Sequence, residues 1–331
     1  MHEPETPKLL ASRAYSLALA PQLIYARSSL IPALVSSQTH SQLEFQAVGS
    51  WYVVDHEADK PATQSRLIKV PSGREDIFSD NTLDLRSKRG LMKFLRFVVA
   101  YEADPDWPSM RGESFVQELE RRFKVPSATL APLLALSLSA GTDTTMEIAV
   151  PRIAQHLQSF GIFGAGFSAV LPKWGGLAEI AQVGCRAGAV GGGVYVLNKS
   201  VKAVQQAFSD RLVLELGDGE KATASWLVGS SEDLPGSAAA VASHTTQPAQ
   251  RTWATHSVTK SITVVSSGLP SLFPRTSEGG ILPAGAVISI NAEHGPTSSS
   301  TPVYVLAHSS ESGECPTNQC KSALLIALHP S

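Results

Sequence analysis

Apolar residues recur along the chain in two rhythms, and the change of rhythm divides it. Between residues 85 and 160 the period is helical. Leu91, Leu95 and Val98 fall at helical spacing with Phe94 and Tyr101 beside them, so an amphipathic helix is predicted over Arg86 to Tyr101. Ser114-Phe-Val-Gln117 has the spacing of a capping box, in which the Ser hydroxyl accepts from the N3 amide while the Gln side chain reaches back. Val116, Leu119 and Phe123 then form one face, and Pro126 stops that helix. An apolar segment follows from Leu130 to Leu138. Met146, Ala149, Ile153, Leu157 and Phe160 make a last helical pattern, which Pro151 should start or kink.

Outside that stretch the pattern is shorter and rich in β-branched residues. A helical stretch is expected at Ala20 to Ser36, and strands at Trp51-Tyr-Val-Val54 and Arg66-Leu-Ile-Lys-Val70. Residues 161–200 are glycine-rich and include the expected strand Gly193-Val-Tyr-Val-Leu197. Further strands are expected at Arg211–Leu216, Ser225–Val228, Ser261–Val265, Ala286–Ile290 and Val303–Leu306. Gly217-Asp-Gly-Glu220 reads as a hairpin turn. Linkers rich in Ser, Thr and Pro lie near 230–250 and 295–302, and no repeat is present. The order is mixed α/β, then helical, then mainly β. A discontinuous α/β domain (1–84 and 164–331) interrupted by a helical insertion (85–163) produces it.

Composition narrows the possibilities. The 331 residues allow about two domains. With 27 basic and 29 acidic residues the net charge is −2, so there is no basic surplus for nucleic acid. Charged residues make up 17% and hydrophobic ones 43%, which excludes overall disorder and supplies a core. No apolar run approaches the roughly 18–20 residues that span a bilayer. The start Met1-His-Glu-Pro-Glu-Thr-Pro lacks a secretory signal, and no lipidation motif closes the chain. Three cysteines build no disulfide framework, so a reducing, cytoplasmic setting is expected.

Common catalytic signatures are missing. Gly166-Phe-Ser-Ala-Val170 lacks the second glycine of a nucleophile elbow, and no HExxH or phosphate-binding P-loop occurs. His56-Glu57 and Glu293-His294 have no second spaced ligand. Cys315-Pro-Thr-Asn-Gln-Cys320, with His308 upstream, is half a zinc site at most, and two free thiols on a loop are the plainer reading. Gly161, Gly164 and Gly166, and later Gly188 and Gly191–Gly193, do not give the strand–GxGxxG–helix order of a dinucleotide site. Tight turns and close backbone packing explain them better. The stripe Arg89, Lys93 and Arg96 is a solvated helix face or a surface for an acidic partner. Glu179, Gln182 and Arg186, spaced i, i+3, i+7, project from one helix face, as a solvated row or a protein-recognition strip.

Three blocks in order resemble the Rab escort protein and Rab GDP-dissociation inhibitor family. The first is Tyr15-Ser-Leu-Ala-Leu-Ala-Pro-Gln-Leu-Ile-Tyr-Ala-Arg27 with Leu43-Glu-Phe45. The second is Lys69-Val-Pro-Ser-Gly-Arg-Glu-Asp-Ile-Phe78 with Lys88-Arg89 and Leu91-Met-Lys-Phe-Leu95. The third joins Pro172-Lys-Trp-Gly175, Glu179 to Arg186, and Gly191-Gly-Gly-Val-Tyr-Val-Leu-Asn198. The resemblance is good over 12–200 and loose over 201–310. The Arg74–Phe78 run and the Ser/Thr/Pro-rich inserts favour the escort branch over the inhibitor branch.

The resemblance implies a fold: an FAD/NAD(P)-binding-like, GDI-type large domain of α/β class plus an inserted α domain. It also implies a function. Such a protein binds GDP-bound Rab GTPases, presents them to Rab geranylgeranyltransferase, and carries the prenylated product to membranes, with no catalysis or cofactor of its own. Glu179, Gln182, Arg186, Tyr195 and Val196 fall on the family's Rab-binding platform. Leu91, Phe94, Leu95, Val98, Leu134 and Leu138 are candidates to line a slot for the geranylgeranyl lipid, or simply pack the helices together. The inserted domain would face the transferase. The family's opening strand with its GxG loop, and its closing strand and helix, are not visible, so the chain reads as truncated at both ends. A flavin oxidoreductase on the same architecture is disfavoured, because a pyrophosphate needs amide donors at a helix N-terminus.

Overall fold

The computed structural model describes residues 9–20, 22–55, 65–71, 84–139, 141, 143–206, 211–230, 233–241, 257–276, 279–290 and 302–328. The Arg74–Phe78 run lies outside them. The strands are β1 (Ile24–Tyr25), β2 (Phe45–Asp55), β3 (Arg66–Lys69), β4 (Ala169–Pro172), β5 (Val201–Gln206) and β6 (Leu212–Leu216). They continue with β7 (Lys221–Ala224), β8 (Ser257–Val265), β9 (Gly285–Ile290), β10 (Val303–Ser309) and β11 (Cys320–Leu328). The longer helices are α1 (Leu30–Ser36), α2 (Leu85–Val99), α3 (Leu130–Ser137), α4 (Met146–Ser159), α5 (Leu177–Val190) and α6 (Gly236–Val241). Among the described residues no helix is long and apolar enough to cross a membrane.

The chain divides into two compact units, 1–185 with 256–331, and 186–255. The first holds a sheet in the order β1-β4-β2-β9-β10-β11-β8, with β3 also paired to β2. All its pairs are antiparallel except β2 with β9. Strand β2 is buried on both faces, which is why Trp51-Tyr-Val-Val54 reads as a continuous apolar run rather than an alternation. Side chains alternate across it. Trp51 and Val53 join the core of the helical stretch, while Tyr52 joins a second core with Leu272, Phe273, Ala286, Ala307 and Cys320.

The helical stretch folds much as its period predicts. Asp84 caps α2 by accepting from Ser87 N at 2.8 Å. Leu91, Phe94 and Val98 are buried, and the Phe94 ring meets Phe115 and Phe123 edge-on at 5.8 and 5.3 Å. Ser114 caps the single-turn helix Phe115–Glu118, accepting from Gln117 N. A π-helical turn, Leu119–Phe123, carries the chain past α2. There Gly90 must be glycine: a Cβ would stand 2.7 Å from Phe123 O and 2.8 Å from Lys124 O. Helix α4 runs unbroken through Pro151 and buries Met146, Ala149, Val150, Ile153 and Ala154. These side chains share one core with β2, β4 and β9.

Three expectations are corrected. The predicted helix at Ala20 to Ser36 shrinks to α1, because Ile24 and Tyr25 pair with Val170 and Ala169 instead. Ser225–Val228 is not a strand, and β7 ends at Ala224. Gly193–Leu197 is not a strand either: no described strand pairs with it, and Val194 and Leu197 are both 85% exposed. An apolar alternation supplies strand propensity, but a strand exists only where another edge takes its hydrogen bonds.

The second unit holds the antiparallel sheet β5-β6-β7. Its β6–β7 hairpin turns at Gly217–Glu220 as expected. Helix α6 sits beside β5, where Ser237 Oγ accepts from Val204 N at 3.1 Å.

Candidate functional site

The Pro172–Gly176 segment leads from β4 into α5 and is held on several sides. Lys173 N donates to Glu44 O at 2.9 Å, and its ammonium pairs with Glu44 Oε1 at 2.7 Å. Trp174 adopts a left-handed φ of 70°, and its N–H donates to Ser312 O at 2.7 Å. Glu179 N then donates to Gly176 O at 3.1 Å, which starts the helix.

Within α5, Leu177 and Ile180 lean on a small core of Ile24, Ala47, Phe167 and Val170. No residue of the helix is fully buried. Glu179 is half-buried and Gln182 exposed. Both belong to the first unit, whose boundary falls at Cys185.

Arg186, Tyr195 and Val196 belong to the second unit. Arg186 is exposed, Tyr195 is 55% exposed and Val196 58%. The glycines between them end α5. Gly191 N donates to Ala187 O at 3.0 Å and Gly193 N to Gly188 O at 2.8 Å, with Gly192 at φ 90°. The Tyr195 hydroxyl lies over Gly188, where a Cβ would collide with it. Glu179 and Gln182 lie on the part of α5 in the first unit and Arg186 on its part in the second, where Tyr195 and Val196 follow on an unpaired segment.

The six lipid-slot candidates lie together in the helical core. Leu91, Phe94 and Val98 are buried, and Leu95, Leu134 and Leu138 are half-buried against them. They are packed by Phe115, Leu133, Met146 and Ile153. A surface groove of about 450 Å³ on the same stretch is lined by Val99, Tyr101, Pro151, Ala154 and Gln158, and by none of the six.

Two buried polar groups carry no sequence motif. His156 is 2% exposed, with Nδ1 3.2 Å from Ser168 Oγ and the rings of Tyr25, Trp51 and Phe160 edge-on around it. Burial pushes its pKa down to about 3, so it is neutral at ordinary pH. The adjoining cavity of about 20 Å³ has room for a single water.

The second group joins β10, β11 and the loop between them. Glu314 accepts from His308 Nδ1, and Lys321 Nζ lies 3.0 Å from Glu314 Oε1. All three side chains are at most 4% exposed. Burial alone would raise the Glu314 carboxyl, but His308 and Lys321 outweigh it and hold it below the usual carboxylate range. Cys315 on that loop and Cys320 at the start of β11 are buried free thiols, and burial raises Cys320 to about 11. Among the described residues no group of three His, Cys, Asp or Glu side chains is arranged to hold a metal ion.

The family model described as GDP dissociation inhibitor matches residues 1–244. Rab proteins geranylgeranyltransferase component A of Saccharomyces cerevisiae is 31% identical over 193 residues, covering 58% of this chain and 30% of the yeast protein. The Drosophila melanogaster component A is 31% identical over 196 residues, covering 58% of this chain and 36% of the fly protein. This chain thus spans about a third of the length of these curated relatives. A Rab GDI of Plasmodium falciparum superposes with a TM-score of 0.65 at 18% identity, over 97% of this chain and 69% of that one, so the GDI-type fold is shared. A match over most of its length, on that fold, establishes that the chain belongs to the GDP dissociation inhibitor family.

Proposed function

We propose that the chain acts as a Rab escort protein. It binds GDP-bound Rab GTPases, presents them to Rab geranylgeranyltransferase, shields the prenylated product and releases it at membranes. It is a non-catalytic partner of the transferase that works in the cytoplasm. The observation that carries this reading is α5, an amphipathic helix with no buried residue, which holds Gln182 outward in the block that resembles the escort and inhibitor family. Glu179, Gln182 and Arg186 fix register against the GTPase, and the exposed Tyr195 and Val196 supply apolar anchor area. Leu91, Phe94, Leu95, Val98, Leu134 and Leu138 part to admit the isoprenoid, which gains about 0.8 kcal/mol for each buried methylene. Residues 85–163 act as the transferase-facing domain.

The test is capture of a GDP-loaded Rab GTPase by the chain, compared with Arg186→Glu. Binding at least tenfold tighter by the unaltered chain supports the reading, and equal binding by the two overturns it. The likeness to a solved Rab GDI favours a second reading, a GDP-dissociation inhibitor that extracts prenylated Rab. Reconstituted geranylgeranylation separates them, since an escort protein supports prenylation and an inhibitor does not.

A further inference from the structure

The β10–β11 hairpin buries three ionisable side chains together, His308 from β10, Lys321 from β11 and Glu314 from the loop between them. Glu314 and Lys321 are both essentially inaccessible, and His308 closes the other side of the carboxylate. A buried ion pair is weak evidence for stability, since desolvation offsets most of its attraction. Its position is what is informative.

The loop that Glu314 anchors is the one that holds Trp174. Ser312 is fully buried: its backbone carbonyl accepts from the Trp174 backbone N–H at 2.7 Å, and its hydroxyl donates to Ser309 O at 2.8 Å. Gly313 lies directly beneath the indole: a Cβ there would stand 2.5 Å from Trp174 Cδ1 and 2.9 Å from Nε1. The Glu314 carbonyl accepts from Ser16 N at 2.9 Å, and Ala18 of the same segment approaches Gly176. Glu179 in turn folds back over Gly175, with Oε1 2.8 Å from the place a Cβ would occupy. A short physical path therefore runs from the buried carboxylate through Ser312 and Gly313 to Trp174, and from there to the first turn of α5.

We propose that the buried His308–Glu314–Lys321 cluster is a positioning device for partner recognition: it fixes the β10–β11 loop under Trp174 and so sets where Glu179 and Gln182 stand. The proposal rests on the reading of α5 as the GTPase-facing helix. The three residues touch no partner and act only through the Trp174 turn. Fixing that turn in advance spares the partner the ordering of α5, which is how preorganisation raises affinity.

The experiment uses the full chain labelled with 5-fluorotryptophan, with the Trp174 resonance assigned from Trp174→Phe. Glu314→Gln removes the charge, and Gly313→Ala crowds the indole and strains the left-handed backbone at φ 75° while leaving every charge in place. Met146→Ala, in the distant helical core, is the control for destabilisation alone. The expected result is a shifted Trp174 fluorine signal in both loop variants. Their affinity for a GDP-loaded Rab GTPase falls at least tenfold, measured well below the unfolding temperature, while Met146→Ala changes neither. If Glu314→Gln does not fold, Lys321→Met, which removes the other buried charge of the cluster, is read in its place. An unmoved Trp174 signal in the folded loop variants, or an affinity loss no larger than that of Met146→Ala, overturns the proposal. If the unaltered chain binds no Rab GTPase, the functional reading fails separately, and the fluorine signal still shows whether the cluster holds the turn.

Discussion

Helices α4 and α5 are each 14 residues long and amphipathic, yet α4 buries seven residues and α5 none. The difference lies in what the rest of the chain brings to each. Helix α4 meets α2, α3, the Phe115–Phe123 segment and the Trp51 face of β2, so four elements close over its apolar stripe. Helix α5 meets one small core, through Leu177 and Ile180. Periodicity therefore fixes which face of a helix is apolar, and the surrounding elements decide how far that face is covered. A helix covered on one edge only is free to present the other.

The comparison breaks first, and most visibly, in stability. Ile153→Ala on α4 removes a side chain with no exposed area and should cost about 2–5 kcal/mol in denaturant unfolding. Ile180→Ala on α5, half-buried, should cost about 1 kcal/mol. Equal losses at the two positions would mean that α5 is as firmly packed as α4, and the contrast would fail.

The second effect is pH. His156 of α4 is neutral in the folded chain with a pKa of about 3, against about 6.5 in the unfolded chain. As pH falls below 6.5 the unfolded chain takes up a proton that the folded chain refuses. Stability therefore declines by up to about 1.4 kcal/mol per pH unit. Glu314 also loses stability toward acid, but its carboxyl is lowered, so its contribution is complete above the ordinary carboxylate value of about 4.5 and fades only below it. Between pH 6.5 and 4.5 the loss belongs mainly to His156 and amounts to about 2–3 kcal/mol. His156→Gln should flatten unfolding free energy across that window. An unchanged slope would show that His156 reaches water in the folded state.

Residues near one another in sequence told most of this story in advance. The 3.6-residue period marked α2 and α4 closely, and the Ser114 cap was legible because capping is a local hydrogen bond. The Glu179–Gln182–Arg186 row was legible for the same reason. The Gly193–Leu197 segment reads as a strand in sequence and is none in the structure, because its alternation says nothing about who pairs with it. The His308–Glu314–Lys321 cluster was invisible because hairpin register assembles it. Ser309 opposite Cys320 and His308 opposite Lys321 set the three side chains together, and no local motif encodes that register. His156 was hidden likewise, since Trp51, Tyr25 and Ser168 reach it from three distant segments.

The smallest effect on stability carries the sharpest version of the comparison. Gln182 is exposed on α5, so Gln182→Ala should move the unfolding free energy by no more than about 0.5 kcal/mol. Alanine is the better helix former, so the sign, if measurable, should be stabilising. Binding should change in the opposite sense. A side-chain amide at a partner surface is worth about 0.5–1.5 kcal/mol net, which is a two- to tenfold loss of affinity for a GDP-loaded Rab GTPase. On α4 stability and function move together, because its side chains are the core. If α5 faces the partner as proposed, the two separate there, because a partner-facing helix is stabilised by one set of residues and read by another. If Gln182→Ala weakened folding and left binding untouched, α5 would be an ordinary structural helix and the recognition row would have to lie elsewhere.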